Sequence, residues 1–179
     1  IWGIAVDNIN HKIAVCCYRR DAVLLFNETK ELQCRINCPF PTCVCIESKR
    51  RNVVVGTSGW GVFVFNERGE LLNRTRKFKC FGLCISSESC ILATNSSESK
   101  VSIFKMNGKE IPGFGKSGKK EGDFEWPVGI GIDENSKEII VADYANRRIS
   151  KFEEKSKNYI TSAEGLEYPV LAFQGVRCL

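Results

Sequence analysis

Histidine is nearly absent from this chain, which contains only His11 in 179 residues. A Ser–His–acid triad would have to use that residue, and nothing in the sequence marks a serine as its partner. The cysteines Cys80, Cys84 and Cys90 lack the paired C-x-x-C spacing of a zinc site. We therefore expect no catalytic group, metal or cofactor, and we predict that the domain itself is not an enzyme.

Long apolar runs and a strong excess of charge are also missing. No stretch of about 18 apolar residues occurs, so no membrane-spanning segment is expected. The net charge of +5, from 26 basic and 21 acidic residues, favours anionic partners only mildly. We expect no DNA partner.

The first residues read as a strand and not as a signal peptide, and the chain does not begin with Met, so we expect a piece of a longer protein.

Cysteine, in contrast, is abundant, with ten residues. Several lie in apolar strands, and Cys43 and Cys45 share a strand face because alternate residues point the same way. Buried free cysteine behaves as a small hydrophobic residue, which favours reduced thiols and a cytoplasmic protein. Three glycosylation sequons, at Asn27, Asn73 and Asn95, keep an extracellular, disulfide-bonded protein as the alternative.

The main signal in the sequence is an internal repeat of roughly 40 residues. Each unit has an apolar strand, a short polar gap and a second strand that closes on phenylalanine. The closing residues are Phe26, Phe65, Phe104 and Phe152. Another apolar segment precedes each pair, at 3–7, 43–47, 82–86 and 129–133. A more polar strand follows each phenylalanine, at 31–37, 70–75, 109–114 and about 158–163.

Four short antiparallel strands per unit, without a helical period, are typical of a β-propeller blade. The first strands are apolar on both faces, so each blade has to be buried between neighbours. We predict an all-β, single-domain β-propeller fragment over 1–179. Its four blades are expected at approximately 1–37, 38–79, 80–124 and 125–169, with the start of a fifth inner strand at 170–179.

The fourth unit resembles the NHL repeat, whose pattern runs Gly-x-Phe, Pro-x-Gly-Ile-x-x-Asp, Val-x-Asp and Asn-x-Arg-Ile-x-x-Phe. The matching residues from the proline onward are Pro127, Gly129, Ile130, Asp133, Val141, Asp143, Asn146, Arg148, Ile149 and Phe152. The resemblance implies structural roles for Asp143, Asn146, Arg148 and Phe152. It also implies a ring of about six blades, so the four units predict an open arc that needs further blades.

The segment 113–118 also matches G-x-G-x-x-G, and with Lys119 it approaches a phosphate-binding loop. Such a loop needs a helix N-terminus after it, and the residues that follow cannot begin a long helix. We predict a loop that links two blades and no bound nucleotide.

In a propeller, the loops between second and third strands emerge on the same face as the links between blades. These loops are rich in basic and aromatic side chains, which suit both protein interfaces and RNA. The predicted contact residues are Tyr18, Arg19, Arg20, Trp60, Lys100, Tyr144 and Arg147. The NHL resemblance implies a protein-interaction platform that recruits a substrate or adaptor, as in tripartite-motif ubiquitin ligases. An RNA-binding propeller of a translational repressor is the alternative, and an extracellular NHL propeller is a third.

Overall fold

The computed structural model describes residues 1–167 and 169 and contains sixteen strands and a single 3₁₀ turn at Tyr18–Arg20. The strands form four separate four-stranded sheets, each antiparallel and each ordered as in the sequence. The prediction of an all-β fold with four blades of four antiparallel strands is confirmed. The fifth inner strand predicted at 170–179 lies outside the described residues.

Each blade is a meander of four consecutive strands. The first blade contains β1 (Gly3–Asp7), β2 (Lys12–Cys17), β3 (Ala22–Phe26) and β4 (Leu32–Asn37). The second contains β5 (Pro41–Glu47), β6 (Asn52–Thr57), β7 (Val62–Phe65) and β8 (Leu71–Arg74). The third contains β9 (Cys80–Ile85), β10 (Cys90–Asn95), β11 (Lys100–Lys105) and β12 (Glu110–Phe114). The fourth contains β13 (Pro127–Asp133), β14 (Glu138–Asp143), β15 (Arg148–Glu153) and β16 (Tyr159–Ala163).

The closing phenylalanines occupy equivalent places in the four sheets. Each pairs with an isoleucine or valine near the start of the preceding strand. The pairs are Ile13 with Phe26, Val53 with Phe65, Ile91 with Phe104 and Ile139 with Phe152. Because strand side chains alternate between faces, this shared register places the same positions of every blade on the same face.

Three apolar layers hold the blades together, one between each pair of successive blades. Their largest side chains include Phe104, Phe124 and Phe152, all of which are fully buried. Burial of a side chain of this size contributes about 1.5–3 kcal/mol. The polar outer strands β4, β8, β12 and β16 stay on the rim, as their sequences predict.

The four blades form an open arc. The inner strands contact one another in succession, β1 with β5, β5 with β9 and β9 with β13. Among the described residues, no blade covers the face of the first blade that is turned away from the second blade. Ile4, Val15 and Leu24, which pair across the strands of the first blade, therefore remain partly exposed on that face. The arc therefore presents an apolar blade face to solvent.

One face of the arc, here called the linker face, carries the blade-to-blade linkers and the loops between second and third strands. Backbone hydrogen bonds join these segments, including Ser58 N to Phe40 O (3.1 Å) and Ser96 N to Lys79 O (3.0 Å). Irregular pairing of the inner strand occurs beside the linker in the second, third and fourth blades. Such bulges turn the strand ends and re-aim their side chains.

A buried ion pair fixes the linker that precedes the fourth blade. Arg148 Nε donates to Asp143 Oδ2 at 2.9 Å, and the Arg148 guanidinium also donates to the carbonyls of Lys119, Lys120 and Asp123. Arg148, on β15, therefore joins Asp143 of the neighbouring strand β14 to the linker. The glycine-rich segment 113–118 runs from the end of β12 into a linker, and Arg148 holds that linker at Lys119, Lys120 and Asp123.

Two more NHL positions complete this network. Asp143 Oδ1 accepts from the backbone N of Glu125 at 2.7 Å, and Asn146 Nδ2 donates to both Asp143 Oδ2 and the carbonyl of Gly118. Burial raises the pKa of the Asp143 carboxyl, whereas its hydrogen-bond donors act in the opposite direction. Asp143 and Asn146 therefore bind the distant linker as well as their own turn.

Replacement of Arg148 by methionine should lower the free energy of unfolding by about 3–5 kcal/mol, because the Asp143 carboxylate would stay buried without its cation. Urea unfolding followed by circular dichroism measures this loss. Arg147→Met changes the exposed neighbouring arginine and should stay within about 0.5 kcal/mol of wild type. Equal midpoints for the two variants would contradict the structural role of Arg148.

The exposed face of the first blade should make the protein self-associate, since uncovered apolar sheet faces tend to find partners. Analytical ultracentrifugation over a range of concentrations should show this association, and Leu24→Lys should weaken it. Leu72→Lys, on the outer strand β8 and 46% exposed, is the matched control and should behave as wild type. Identical association of the two variants would show that this face is not responsible.

Candidate binding surface

An aromatic patch made of Trp2, Tyr18, Phe40 and Phe81 lies on the linker face. Trp2 stacks on Tyr18 with ring centroids 4.7 Å apart and an angle of 18° between the planes. Phe40 and Phe81 extend the patch, at 5.7 Å from Tyr18 and 6.4 Å from Trp2. Trp2 is 58% exposed and Phe40 45% exposed. The patch therefore joins residues of the first and third blades and of the linker between the first and second blades into one accessible apolar surface.

Phe40 is held outward in an unfavourable backbone conformation. Its φ of 45° lies in the left-handed region, which costs a bulky residue roughly 1–2 kcal/mol. Asp21 Oδ1 accepts a hydrogen bond from Phe40 N at 2.8 Å and so stabilises this conformation. Trp126 repeats the arrangement before Pro127, with a φ of 54° and an exposed ring. Residues held in sparsely populated backbone conformations cluster at functional sites.

Arg19 and Arg20 flank the patch on the 3₁₀ turn that begins with Tyr18. Both are exposed. The Arg20 carbonyl accepts a hydrogen bond from Arg35 Nη2 at 3.2 Å, which helps to fix the turn. Two positive side chains therefore stand beside the stacked Trp2–Tyr18 pair.

The other predicted aromatic residues form two smaller groups on this face. The ammonium of Lys77 lies 4.0 Å from the centroid of the Trp60 ring, a cation–π geometry. Tyr144 contacts the edge of Trp126, with centroids 6.2 Å apart. Arg147 is exposed near Tyr144 and has a left-handed φ of 55°. These contacts assign partners to Trp60 and Tyr144, and the contact role of all three residues stays a prediction.

Lys100 belongs to an ion-pair network that joins the third blade to the linker before it. Its ammonium lies 2.9 Å from Glu98 Oε2, while Arg76 donates to both Glu98 and Glu110. Hydrogen bonds from Arg76 and then Lys100 hold the pKa of Glu98 down at about 2. Lys100 was predicted to be a contact residue in a loop, whereas it begins β11 and is balanced by acidic neighbours. Its role in binding stays a prediction.

A cavity of about 330 Å³ opens at the other end of the axis, away from the linker face. Every inner strand contributes apolar residues to its wall, among them Val6, Ile46, Ile85 and Ile132. Lys49, Glu134 and Lys137 lie near its mouth. A volume of this size can hold a small molecule. None of the predicted contact residues lines it.

Trp2 is the largest member of the aromatic patch and was missed by sequence analysis, which read it as part of the first strand. A signal was present, because an aromatic residue directly precedes the glycine near the start of the inner strand in the first and third units. These pairs are Trp2–Gly3 and Phe81–Gly82. The structure brings the two rings together across the axis.

Within residues 1–167 and 169, no three His, Cys, Asp or Glu side chains are grouped so that they could hold a metal ion. His11 lies in an exposed turn, with Nδ1 3.6 Å from a Glu28 carboxylate oxygen. In the same part of the chain, no helix has the length and hydrophobicity to span a membrane.

No protein-family profile matches the sequence, and a search of curated proteins finds no match. Solved structures do share its fold. A protein of unknown function from Bacteroides caccae has 15% identity and a TM-score of 0.67, over 91% of this chain and 60% of that one. A streptogramin B lyase has 10% identity and a TM-score of 0.70, over 91% and 54%. A virginiamycin B lyase from Staphylococcus aureus has 13% identity and a TM-score of 0.68, over 91% and 55%.

The chain thus spans 54–60% of the length of these structures, and at such low identity the likeness shows the β-propeller fold alone. It also corrects one prediction. Because two of these propellers are lyases, the prediction that the domain is not an enzyme is wrong. The prediction relied on the spacing of residues in the sequence, whereas a propeller can bring catalytic groups together from distant blades.

Proposed function

We propose that the linker face is a protein-binding surface and that the aromatic patch is its centre. The observation that carries this proposal is the exposure of Trp2 and Phe40 around the Trp2–Tyr18 stack, with Arg19 and Arg20 at its edge. Tryptophan, tyrosine and arginine are the residues that most often dominate binding energy at protein interfaces. The left-handed backbone at Phe40 holds its ring toward a partner at some cost to stability.

We further propose that the chain is part of an NHL-type propeller that recruits a protein substrate or adaptor, as in tripartite-motif ubiquitin ligases. The fourth blade supports this, because the residues that carry the NHL resemblance have matching structural roles. Asp143, Asn146 and Arg148 bind the preceding linker, and Phe152 packs between blades with Phe114 and Phe124.

Additional blades would cover the open face of the first blade. The partly exposed row of Ile4, Val15 and Leu24 has the same composition as the buried layers between blades. The longer propellers of known structure, of which this chain spans 54–60%, provide the geometric precedent. We therefore propose that the functional propeller has more than four blades.

A cytoplasmic location fits the cysteines and one of the sequons. None of the nine cysteines in the described part of the chain forms a disulfide. Asn95 is fully buried and donates to Ser102 Oγ, so a folded chain offers no room for a glycan on its side chain. Both features favour this location over an extracellular one.

Peptides selected on the wild-type protein from a displayed library should bind through the aromatic patch. Isothermal titration with a selected peptide should show a loss of roughly 30-fold or more for Trp2→Ala and for Phe40→Ala, as expected for central interface aromatics. Leu71→Ala is the matched control, because Leu71 is 52% exposed on the outer strand β8. It should change affinity less than about twofold. Equal losses at Leu71 and Phe40 would reject this surface.

RNA is the second candidate partner, favoured by the stacked Trp2–Tyr18 pair beside two exposed arginines. Unpaired bases stack on aromatic rings while arginine binds the adjacent phosphates. The aromatic patch and its flanking arginines would then bind a single-stranded RNA segment.

Filter binding of single-stranded RNA at increasing salt distinguishes this candidate. If RNA is the partner, affinity should fall steeply as the salt concentration rises. Replacing Arg19, Arg20 and Arg147 by alanine should then reduce the slope of log affinity against log salt concentration by roughly 2. Arg68→Ala, in an exposed turn between β7 and β8, is the control and should keep the wild-type slope. An affinity that is independent of salt would reject RNA binding.

A further inference from the structure

Two cysteines from different blades place their sulfur atoms in contact. Cys43 lies on β5 of the second blade and Cys80 begins β9 of the third. Their Sγ atoms are 3.8 Å apart, although the residues are 37 positions apart in the sequence. Neither residue has a role in the fold or the binding surface described above beyond apolar packing.

Hydrogen bonds hold the backbone on both sides of this contact. The hydroxyl of Thr42, which directly precedes Cys43, lies within hydrogen-bond distance of the carbonyls of Gly56 and Cys80. Cys80 Sγ lies 3.4 Å from the carbonyl of Gly82. The inner strands of the two blades are therefore connected at the point where the thiols meet.

Gly56 leaves the space that the two sulfurs occupy. A Cβ atom at this position would lie 2.4 Å from Cys43 Sγ and 2.7 Å from Cys80 Sγ, well inside contact distance. Gly56 sits opposite Cys43 on strand β6. Any larger residue there would push the thiols aside, so glycine permits their approach.

We propose that Cys43 and Cys80 are an oxidisable pair that a peroxide converts to a disulfide joining the second and third blades. A disulfide needs the sulfurs at about 2.05 Å, so they must approach by roughly 1.8 Å, a change that side-chain rotation and small strand movements can supply. The proposal is independent of the partner that binds the linker face.

Exposure determines the order of the two steps. Cys43 is only partly buried, whereas Cys80 is fully buried, and burial raises the pKa of the Cys80 thiol well above its ordinary value. The accessible sulfur should therefore be oxidised first, and the buried thiol should react second.

The chemistry balances with one hydrogen peroxide. The Cys43 sulfur attacks the peroxide, an S–O bond forms as the O–O bond breaks, and the first water leaves. The Cys80 sulfur then attacks the resulting sulfenic acid, the S–S bond forms, and the hydroxyl leaves as a second water with the thiol proton. Two thiols are oxidised by two electrons, and the peroxide is reduced to two waters.

Peptide mapping of the oxidised protein tests the proposal. The folded 179-residue chain is treated with hydrogen peroxide, alkylated, separated as monomer on a non-reducing gel and digested with trypsin. Mass spectrometry should find peptide 36–49 linked to peptide 80–100, with fragment ions that place the bond at Cys43 and Cys80. A folded wild-type monomer without this link would overturn the proposal.

Serine variants provide matched controls in the same two peptides. Cys43→Ser and Cys80→Ser should abolish the link, whereas Cys45→Ser and Cys84→Ser should retain it. Circular dichroism of the reduced proteins establishes that each variant is folded. A link of normal yield in Cys43→Ser or Cys80→Ser would also overturn the assignment.

Thermal unfolding gives an independent measurement. A disulfide between Cys43 and Cys80 closes a loop between residues 37 positions apart. It should raise the unfolding midpoint of oxidised wild type by roughly 5–10 °C. Dithiothreitol should remove the increase, and Cys80→Ser should never show it. An unchanged midpoint in the linked protein would mean that the bond does not hold the two blades together.

Discussion

Packing of one blade's apolar face against the next is the constraint on which this structure depends. A single four-stranded sheet with two apolar faces cannot bury both, so it has to lie between neighbours. The three layers between the blades meet this requirement with equivalent residues, because the strand register repeats from blade to blade. The linkers and loops then emerge together at one end, where the aromatic patch is found.

Much of this architecture could be predicted from the sequence because strand side chains alternate with a period of two. The four phenylalanines define the register, and their pairing with Ile13, Val53, Ile91 and Ile139 follows from it. The loops that carry Tyr18, Trp60 and Tyr144 were predicted for the same reason. Local patterns were sufficient wherever the relevant contacts lie within one blade.

Contacts between blades were much harder to predict. The contact of Trp2 with Phe81 joins the first and third blades and depends on the curvature of the arc, which no local pattern encodes. The same holds for Arg76, which follows β8 and reaches Glu98 and Glu110 in the third blade. The mistaken exclusion of enzymes has a related cause, since a fold and a residue count do not determine which groups converge in space.

The cavity at the end of the axis has a geometric consequence. Since every inner strand supplies part of its wall, its diameter depends on how many strands surround the axis. A ring with more blades would leave a wider opening, lined by the equivalent inner-strand residues of the additional blades. The number of repeats would then set the size of molecule that the channel admits, without any change in the residues of an individual blade.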